Sequence, residues 1–261
     1  MTAAVGLPLL AVLIGCAPPF WFAVAVMLLA GWGLFEFYAI CLPKRRTLEK
    51  TLAILAGALL TWLPLWQNDG GAQLVWVGTF YFFALVILFH FQDLRIAMAD
   101  FALLICGLFY IPLLLGYLNL LMKLPQGRCW IFLTLMAIMA NDSLAYFAGS
   151  RWGRHPLYPA ISAKKTWEGL AGGLAGSLIG VLLAKYAFLP ALSFSSALLL
   201  AVILGFVGPL GDLFESMLKR SYGVKDSGCG IPGHGGLLDR LDSLLFAFPA
   251  VYSFCMWHVL S

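Results

Sequence analysis

Apolar residues in this chain come in long runs separated by short polar interruptions. Roughly nine of these runs approach the ~20 residues that a helix needs to cross a hydrocarbon core. They extend from about Ala3 to Ala17, Phe20 to Leu42, Leu48 to Trp66, Ala72 to Phe91, Ile96 to Met122, Trp130 to Gly149, Trp167 to Leu189, Ser195 to Ser216 and Leu237 to Val259. Breaks such as Pro18-Pro19, Pro43-Lys44-Arg45-Arg46, Gln67 to Gly71 and Gln92 to Arg95 divide the first five. The pattern predicts an all-α fold, a polytopic transmembrane helical bundle of about nine spans. The first run is short, but no basic residues precede it and a second run follows at once, so it is expected to be retained rather than cleaved as a secretory signal. No polar stretch is long enough for an aqueous domain. Residues 1–261 therefore read as one membrane domain, with scaffold helices over about 1–129 and the chemistry over about 130–261.

Composition strengthens this picture. The chain is 62% hydrophobic and 11% charged, where a soluble domain carries about a quarter charged residues. Sixteen Lys plus Arg and twelve Asp plus Glu are too few to cover an aqueous surface. The net charge of +4 says less than its distribution, because basic residues favour the cytoplasmic ends of membrane helices. With the N-terminus inside, alternation through the runs leaves only Lys123, Arg128 and Lys185 of the sixteen basic residues outside. That bias predicts an N-inside, C-outside topology with the two large polar stretches, Ser150 to Thr166 and Lys219 to Gly236, facing the cytoplasm. A soluble nucleotide could reach both. Six cysteines stand singly in apolar runs without Cys-x-x-Cys spacing and read as small hydrophobes.

Candidate chemistry concentrates where charge enters apolar helices. Asp212, Glu215, Ser216 and Lys219 fall at i, i+3, i+4 and i+7, one stripe of a helix that follows Gly205 to Leu210. In a soluble helix such a stripe is a solvated face, but an ionisable group within or just under a membrane interface is a functional candidate by default. Beyond it come Lys219-Arg220, Lys225-Asp226, the run Gly228 to Gly236 containing Gly233, His234, Gly235 and Gly236, then Asp239-Arg240-Leu241-Asp242. Glycines let backbone N–H groups approach phosphate oxygens, and Lys, Arg and a helix start neutralise them. Asp239 and Asp242 offer hard oxygens suited to Mg²⁺ shared with substrate phosphates, and Asp212 could add a ligand from the preceding helix. Gly228 to Gly233 also matches G-x-G-x-x-G, but no strand precedes it and a proline interrupts it, and no P-loop motif exists.

The other polar stretch repeats the pattern of acid followed by bases. Asn141-Asp142-Ser143 lies inside a run, where a charge is costly unless paired or wetted. Ser162, Lys164, Lys165 and Thr166 follow at the start of the next helix, where hydroxyl, ammonium and dipole can converge on a phosphate. Arg151 and Arg154 serve equally well as topology markers. Gly169, Gly172, Gly173, Gly176 and Gly180 form small-xxx-small patterns that predict close helix packing. Glu36, near the inner end of the second run, reads evenly as functional or as an acid reaching the interface. His90, His155 and His258 are scattered and suggest no metal site.

Taken together, Ser216-x-x-Lys219-Arg220, Lys225-Asp226-x-Gly228, Pro232-Gly233-His234-Gly235-Gly236 and Asp239-Arg240-x-Asp242 resemble the signature of the bacterial phosphatidate cytidylyltransferases. Asn141-Asp142-Ser143-x-Ala145-Tyr146 and Ser162-x-Lys164-Lys165-Thr166-Trp167-Glu168-Gly169 resemble two further stretches of that family. The likeness covers roughly the C-terminal half; the N-terminal half matches only in hydropathy. Ala163, where the family usually has proline, and the apolar Gly208-Pro209-Leu210 depart from the pattern without removing a chemical group.

The resemblance implies transfer of CMP from CTP to phosphatidate, with Mg²⁺ held by Asp212 and Asp239 and room for a monovalent cation such as K⁺. Asp242 joins the metal candidates. Lys219, Arg220 and Lys225 become candidate phosphate clamps, with Asp226 and His234 as orienting groups. Asp142, Ser162, Lys164, Lys165, Thr166, Ser216, Gly233, Gly235, Gly236 and Arg240 become candidate substrate contacts. The expected partners are CTP, phosphatidate and membrane lipid, with no nucleic acid; a homodimer stays open, and a bacterial cytoplasmic membrane is the expected location. Two other classes compete. A CTP-dependent kinase of a polyprenol-type alcohol would need a base, for which Asp226 or Asp142 could serve. A cation transporter would use the intramembrane acids but has little use for so many Lys and Arg beside them.

Overall fold

The computed structural model describes residues 11–65, 71–90, 93–228 and 235–258. Helices dominate it, as the apolar runs predict. After a helical stretch at 11–16 come α1 (Pro19–Cys41), α2 (Thr47–Leu60), α3 (Gly71–His90), α4 (Leu94–Leu108), α5 (Leu114–Lys123) and α6 (Gly127–Trp152). Two short strands, β1 (Pro156–Tyr158) and β2 (Ser162–Thr166), precede α7 (Trp167–Phe188), α8 (Phe194–Ser221) and α9 (Leu238–His258). Among the described residues seven helical stretches are long and apolar enough to cross a membrane, counting α2 through its following 3₁₀ turn and α4 with α5 as one. The chain reads as an integral membrane protein. Much of the first predicted run, the break Gln67 to Gly70 and Gln92 lie outside the described residues.

Two features go beyond what the apolar pattern shows. Pro112 interrupts the run Ile96 to Met122, and the backbone widens there into a π turn over Phe109–Leu113, because proline offers no N–H and its ring crowds the preceding turn. The stretch Ser150 to Thr166, expected as a polar loop, is not all loop: α6 continues to Trp152, and β1 and β2 form an antiparallel hairpin pairing Pro156 with Thr166 and Tyr158 with Ser162. The α-helical expectation holds, and among the described residues a short two-stranded ribbon is inserted between α6 and α7. Five residues of β2, Ser-Ala-Lys-Lys-Thr, carry too little apolar alternation to announce a strand.

The described structure divides into two compact units. The first comprises Met1–Leu120 with Asp226–Leu238, the second Leu121–Lys225 with Asp239–Ser261. Part of the glycine-rich connection before α9 therefore groups with the N-terminal helices.

In the first unit α2 approaches α1 and the π turn so closely that a methyl at Gly57 would collide with Leu34 and crowd Leu108 and Pro112. Tyr38 donates its hydroxyl hydrogen to the Leu104 carbonyl at 2.7 Å. At the start of α2, Arg46 is buried, donating from Nε to Asp100 and from Nη1 to Glu49, each at 2.9 Å, and to the His90 carbonyl. Burial opposes a charge at Arg46, but its bonds to Glu49 and Asp100 outweigh that and hold its pKa above the ordinary arginine value. Near the end of α1, Glu36 is also buried and accepts four hydrogen bonds: from Trp32 Nε1 at 3.0 Å, Ser227 Oγ at 3.0 Å, and the backbone N–H groups of Leu237 and Leu238, both at 2.9 Å.

In the second unit the glycine pattern of α7 forms a ridge against α6. A methyl at Gly172 would meet Ala148 and the Leu144 carbonyl, one at Gly176 the Ala140 carbonyl, and one at Gly180 the Ala137 backbone. Asn141 lies fully buried in this seam and donates from Nδ2 to Ser177 Oγ at 2.8 Å, with the Gly205 carbonyl of α8 at 3.4 Å. Those contacts knit α6, α7 and α8 one residue from Asp142.

Candidate active site

The hairpin closes over the end of the α6–α7 seam. Thr166 ends β2 and caps α7, its Oγ1 accepting from the Gly169 N–H at 3.0 Å, an arrangement worth about 1 kcal/mol. His155 and Glu168 join the two ends of the ribbon, with Nδ1 2.6 Å from the carboxylate. These bonds set the direction in which β2 presents Lys164 and Lys165.

A cavity of about 330 Å³ opens here, its polar wall formed by Asn141, Asp142, Ser162, Lys164, Lys165 and Asp212. Leu157, Leu170 and Pro209 give the same space an apolar side. Lys165 Nζ stands 2.7 Å from the Asp212 carboxylate, and Ser216 Oγ donates to the other oxygen of Asp212 at 3.3 Å. Two groups separated by much sequence, the β2 lysines and the α8 stripe, therefore meet.

The predicted stripe of α8 is real, and its inner part is buried. Lys219 Nζ lies 2.5 Å from both Glu215 and Asp239, with Glu215 wholly buried. Lys219 thus bridges two carboxylates across α8 and the first turn of α9. Asp242 follows one turn on in the same helix as Asp239. The α8–α9 approach is tight, because a methyl at Gly211 would strike the Asp242 carbonyl. Asp242 also accepts from the Ser243 N–H at 2.6 Å.

A profile of the Cytidylyltransferase family matches residues 1–258. The chain belongs to the cytidylyltransferase family. It is 34% identical over 253 residues to a phosphatidate cytidylyltransferase of Bacillus subtilis, covering 92% of this chain and 90% of that protein. A phosphatidate cytidylyltransferase of Staphylococcus saprophyticus is 34% identical over 197 residues, covering 74% of each chain. The chloroplastic phosphatidate cytidylyltransferase 4 of Arabidopsis thaliana is 47% identical over 130 residues, covering 49% of this chain and 32% of that protein.

In this cytidylyltransferase, the residues brought together are Asp142, Ser162, Lys164, Lys165, Thr166 and Asp212 around the cavity, with Ser216 behind Asp212 and with Lys219 against Asp239. Arg220 and Lys225 are exposed, Arg220 donating to the Val224 carbonyl at 3.4 Å, and Arg240 is exposed in the first turn of α9. Asp226, Gly235 and Gly236 belong to the other unit. Asp226 is exposed, Gly235 holds a φ of +80° that favours glycine, and Gly236 packs beside Ser227 and Glu36. Gly233 and His234 lie outside the described residues.

Among the described residues no three Asp, Glu, His or Cys side chains converge into a group able to hold a metal ion on their own. Asn141, Glu36 and Glu215 stand out in the sequence as polar groups in apolar runs, but the sequence does not show their partners. Their common signal is a polar side chain at an inward position of an otherwise apolar helix.

Proposed function

We propose that this chain transfers CMP from CTP to phosphatidate, giving CDP-diacylglycerol and pyrophosphate. Family membership and the names of the relatives support the reading. The single observation that carries it is one cavity in which Lys164, Lys165 and Asp212 face the same space as the apolar Leu157, Leu170 and Pro209. A phosphate on an acyl-bearing glycerol has that mixed character.

A phosphate oxygen of phosphatidate attacks the α-phosphorus of CTP in line; the new P–O bond forms as the bond to the β-phosphate breaks and pyrophosphate leaves. A phosphate monoester is already anionic and needs no strong base, so positioning and charge neutralisation carry the rate. Lys164 and Lys165 clamp phosphate oxygens, Ser162 and Thr166 add hydroxyl contacts, and Lys219 holds Asp239 and Glu215 in register. Arg220, Lys225 and Arg240 supply further cationic contacts, Gly233, Gly235 and Gly236 let backbone approach phosphate, and Asp226 and His234 orient it.

The chemistry of the donors, hard carboxylate oxygens, suits Mg²⁺, which takes one or two carboxylates with the rest of its shell from phosphate and water rather than a cage of protein ligands. Asp212, Asp239 and Asp242 would hold it, and there it would supply charge stabilisation on the phosphates. K⁺ is the proposed monovalent companion. The proposed topology has nine spans, N-inside and C-outside, in a cytoplasmic membrane, with nucleotide arriving from the cytoplasm and lipid sideways from the inner leaflet.

The test is transfer of label from α-labelled CTP into lipid by the purified protein in phosphatidate micelles, with equimolar pyrophosphate. Release of CDP with phosphorylation of an added lipid alcohol would sink the proposal in favour of a kinase.

A further inference from the structure

The geometry points to Glu36 as a positioning residue for the transfer site, a clasp in α1 that joins both ends of the α9-side connection and fixes the start of α9. The proposal rests on the CMP-transfer reading above. Glu36 stands outside every motif of the C-terminal half, yet it is 3% exposed and its two oxygens take four neutral donors. Oε1 accepts from Trp32 Nε1 and Leu237 N; Oε2 accepts from Ser227 Oγ and Leu238 N. Ser227 stands at one end of the connection, Leu237 and Leu238 at the other.

The first N–H groups of a helix have no partner within it, and a negative charge there is favoured by the helix dipole. Leu238 is the first residue of α9, so Glu36 supplies from a distant helix what a local capping residue ordinarily supplies. The residue after Leu238 is Asp239, and Asp242 follows in the same opening turns. Fixing two amides at the helix start fixes the rotational phase at which these carboxylates leave the backbone. A few tenths of an ångström or a few degrees there matter, since misplacing a reacting group by ~1 Å costs about 100-fold in rate.

The glycines of the connection fit this role. A methyl at Gly228 would press on the Glu36 carboxylate at 3.1 Å, and one at Gly236 would collide with Ser227 Oγ and Glu36. Gly236 must be bare for the chain to close on the carboxylate, and at Gly228 an added methyl would push the carboxylate by a few tenths of an ångström. Gly228 and Gly236 therefore have a steric reason to be glycine that is separate from any approach to phosphate.

The decisive variant is Glu36→Gln, nearly isosteric but with one acceptor oxygen in place of two and an NH₂ facing two of the four donors. Its kcat is expected to fall about 100-fold, while the KM values for CTP and phosphatidate stay within about threefold. Glu36→Asp, which keeps both acceptors on a shorter arm, should recover about 10-fold of that loss. Ser227→Ala, which releases one end only, should lose about 10-fold in kcat, and Trp32→Phe, which leaves both ends held, about twofold or less. Hydrogen exchange on the same preparations should show the Leu237 and Leu238 amides protected in the unmodified protein and released in Glu36→Gln.

A Glu36→Gln protein that unfolds at the unmodified temperature and turns over at the unmodified rate overturns the proposal, as does an activity loss that merely tracks the unfolded fraction. If no Glu36 variant can be purified, Ser227→Ala decides, and unmodified kcat there overturns it. Absence of transfer by the unmodified chain overturns the reaction assigned above, and the exchange measurement then decides the clasp by itself.

Discussion

Glu36 and Glu215 are both acids buried in apolar helices, and they are satisfied in opposite ways. Glu36 in the first unit is surrounded by four neutral donors and no cation among the contacts described. Glu215 in the second unit is held by Lys219, which it shares with Asp239. Neutral N–H and O–H donors are directional and define one geometry. An ammonium between two carboxylates is a charge balance that can be shifted when an anion or a cation arrives. A scaffold contact and a reaction centre thus differ less in whether charge is buried than in what answers it.

The sharpest way to break this contrast is Lys219→Met. It leaves two carboxylates close together without their cation, and the expected result is a loss of about 3–5 kcal/mol in thermal or denaturant unfolding, together with about 1000-fold lower label transfer from CTP. Near-normal turnover would show that Lys219 is only a spectator. Asp212→Asn removes the partner of Lys165 and is expected to lower transfer about 100-fold without a large change in unfolding, because its surroundings are partly exposed. A requirement for more Mg²⁺ in this variant, read by titrating the metal in the same assay, would sharpen the assignment of Asp212.

Glu215→Gln is the informative smaller change. Lys219 keeps Asp239, and an amide oxygen still accepts from it, so about a 10-fold loss in kcat is expected. That is milder than the same chemical substitution at Glu36, where an NH₂ would face donors. Equal effects at the two sites would erase the distinction. Smallest is Thr166→Ala, which deletes the α7 cap and should lower unfolding stability by about 1 kcal/mol, with Thr166→Ser restoring it.

Much of this was legible in the sequence because the bilayer imposes a coarse code. Long apolar runs mark helices, and the stripe Asp212, Glu215, Ser216 and Lys219 follows from the 3.6-residue period alone. The α7 glycines also declared their packing role. Partners were harder to read. Nothing in the spacing says that Lys219 turns toward Asp239, or that Lys165 reaches Asp212 from a strand. The hairpin was hidden because its strands are three and five residues long and show little apolar alternation. Glu36 was legible only as an anomaly, since its partners Ser227, Leu237 and Leu238 lie about 200 positions away and long-range pairing leaves no local pattern.

The glycine ridge of α7 has a mechanical consequence for the lysines of the cavity. Backbones that touch cannot slide or tilt without steric collision, so α6 and α7 behave as one strut, and the ribbon bearing Lys164 and Lys165 is suspended between two points of that strut. A single added methyl at Gly176, pressed against the Ala140 carbonyl, would wedge the strut open from within the bilayer. The displacement would be delivered by leverage to cations that the substitution never touches.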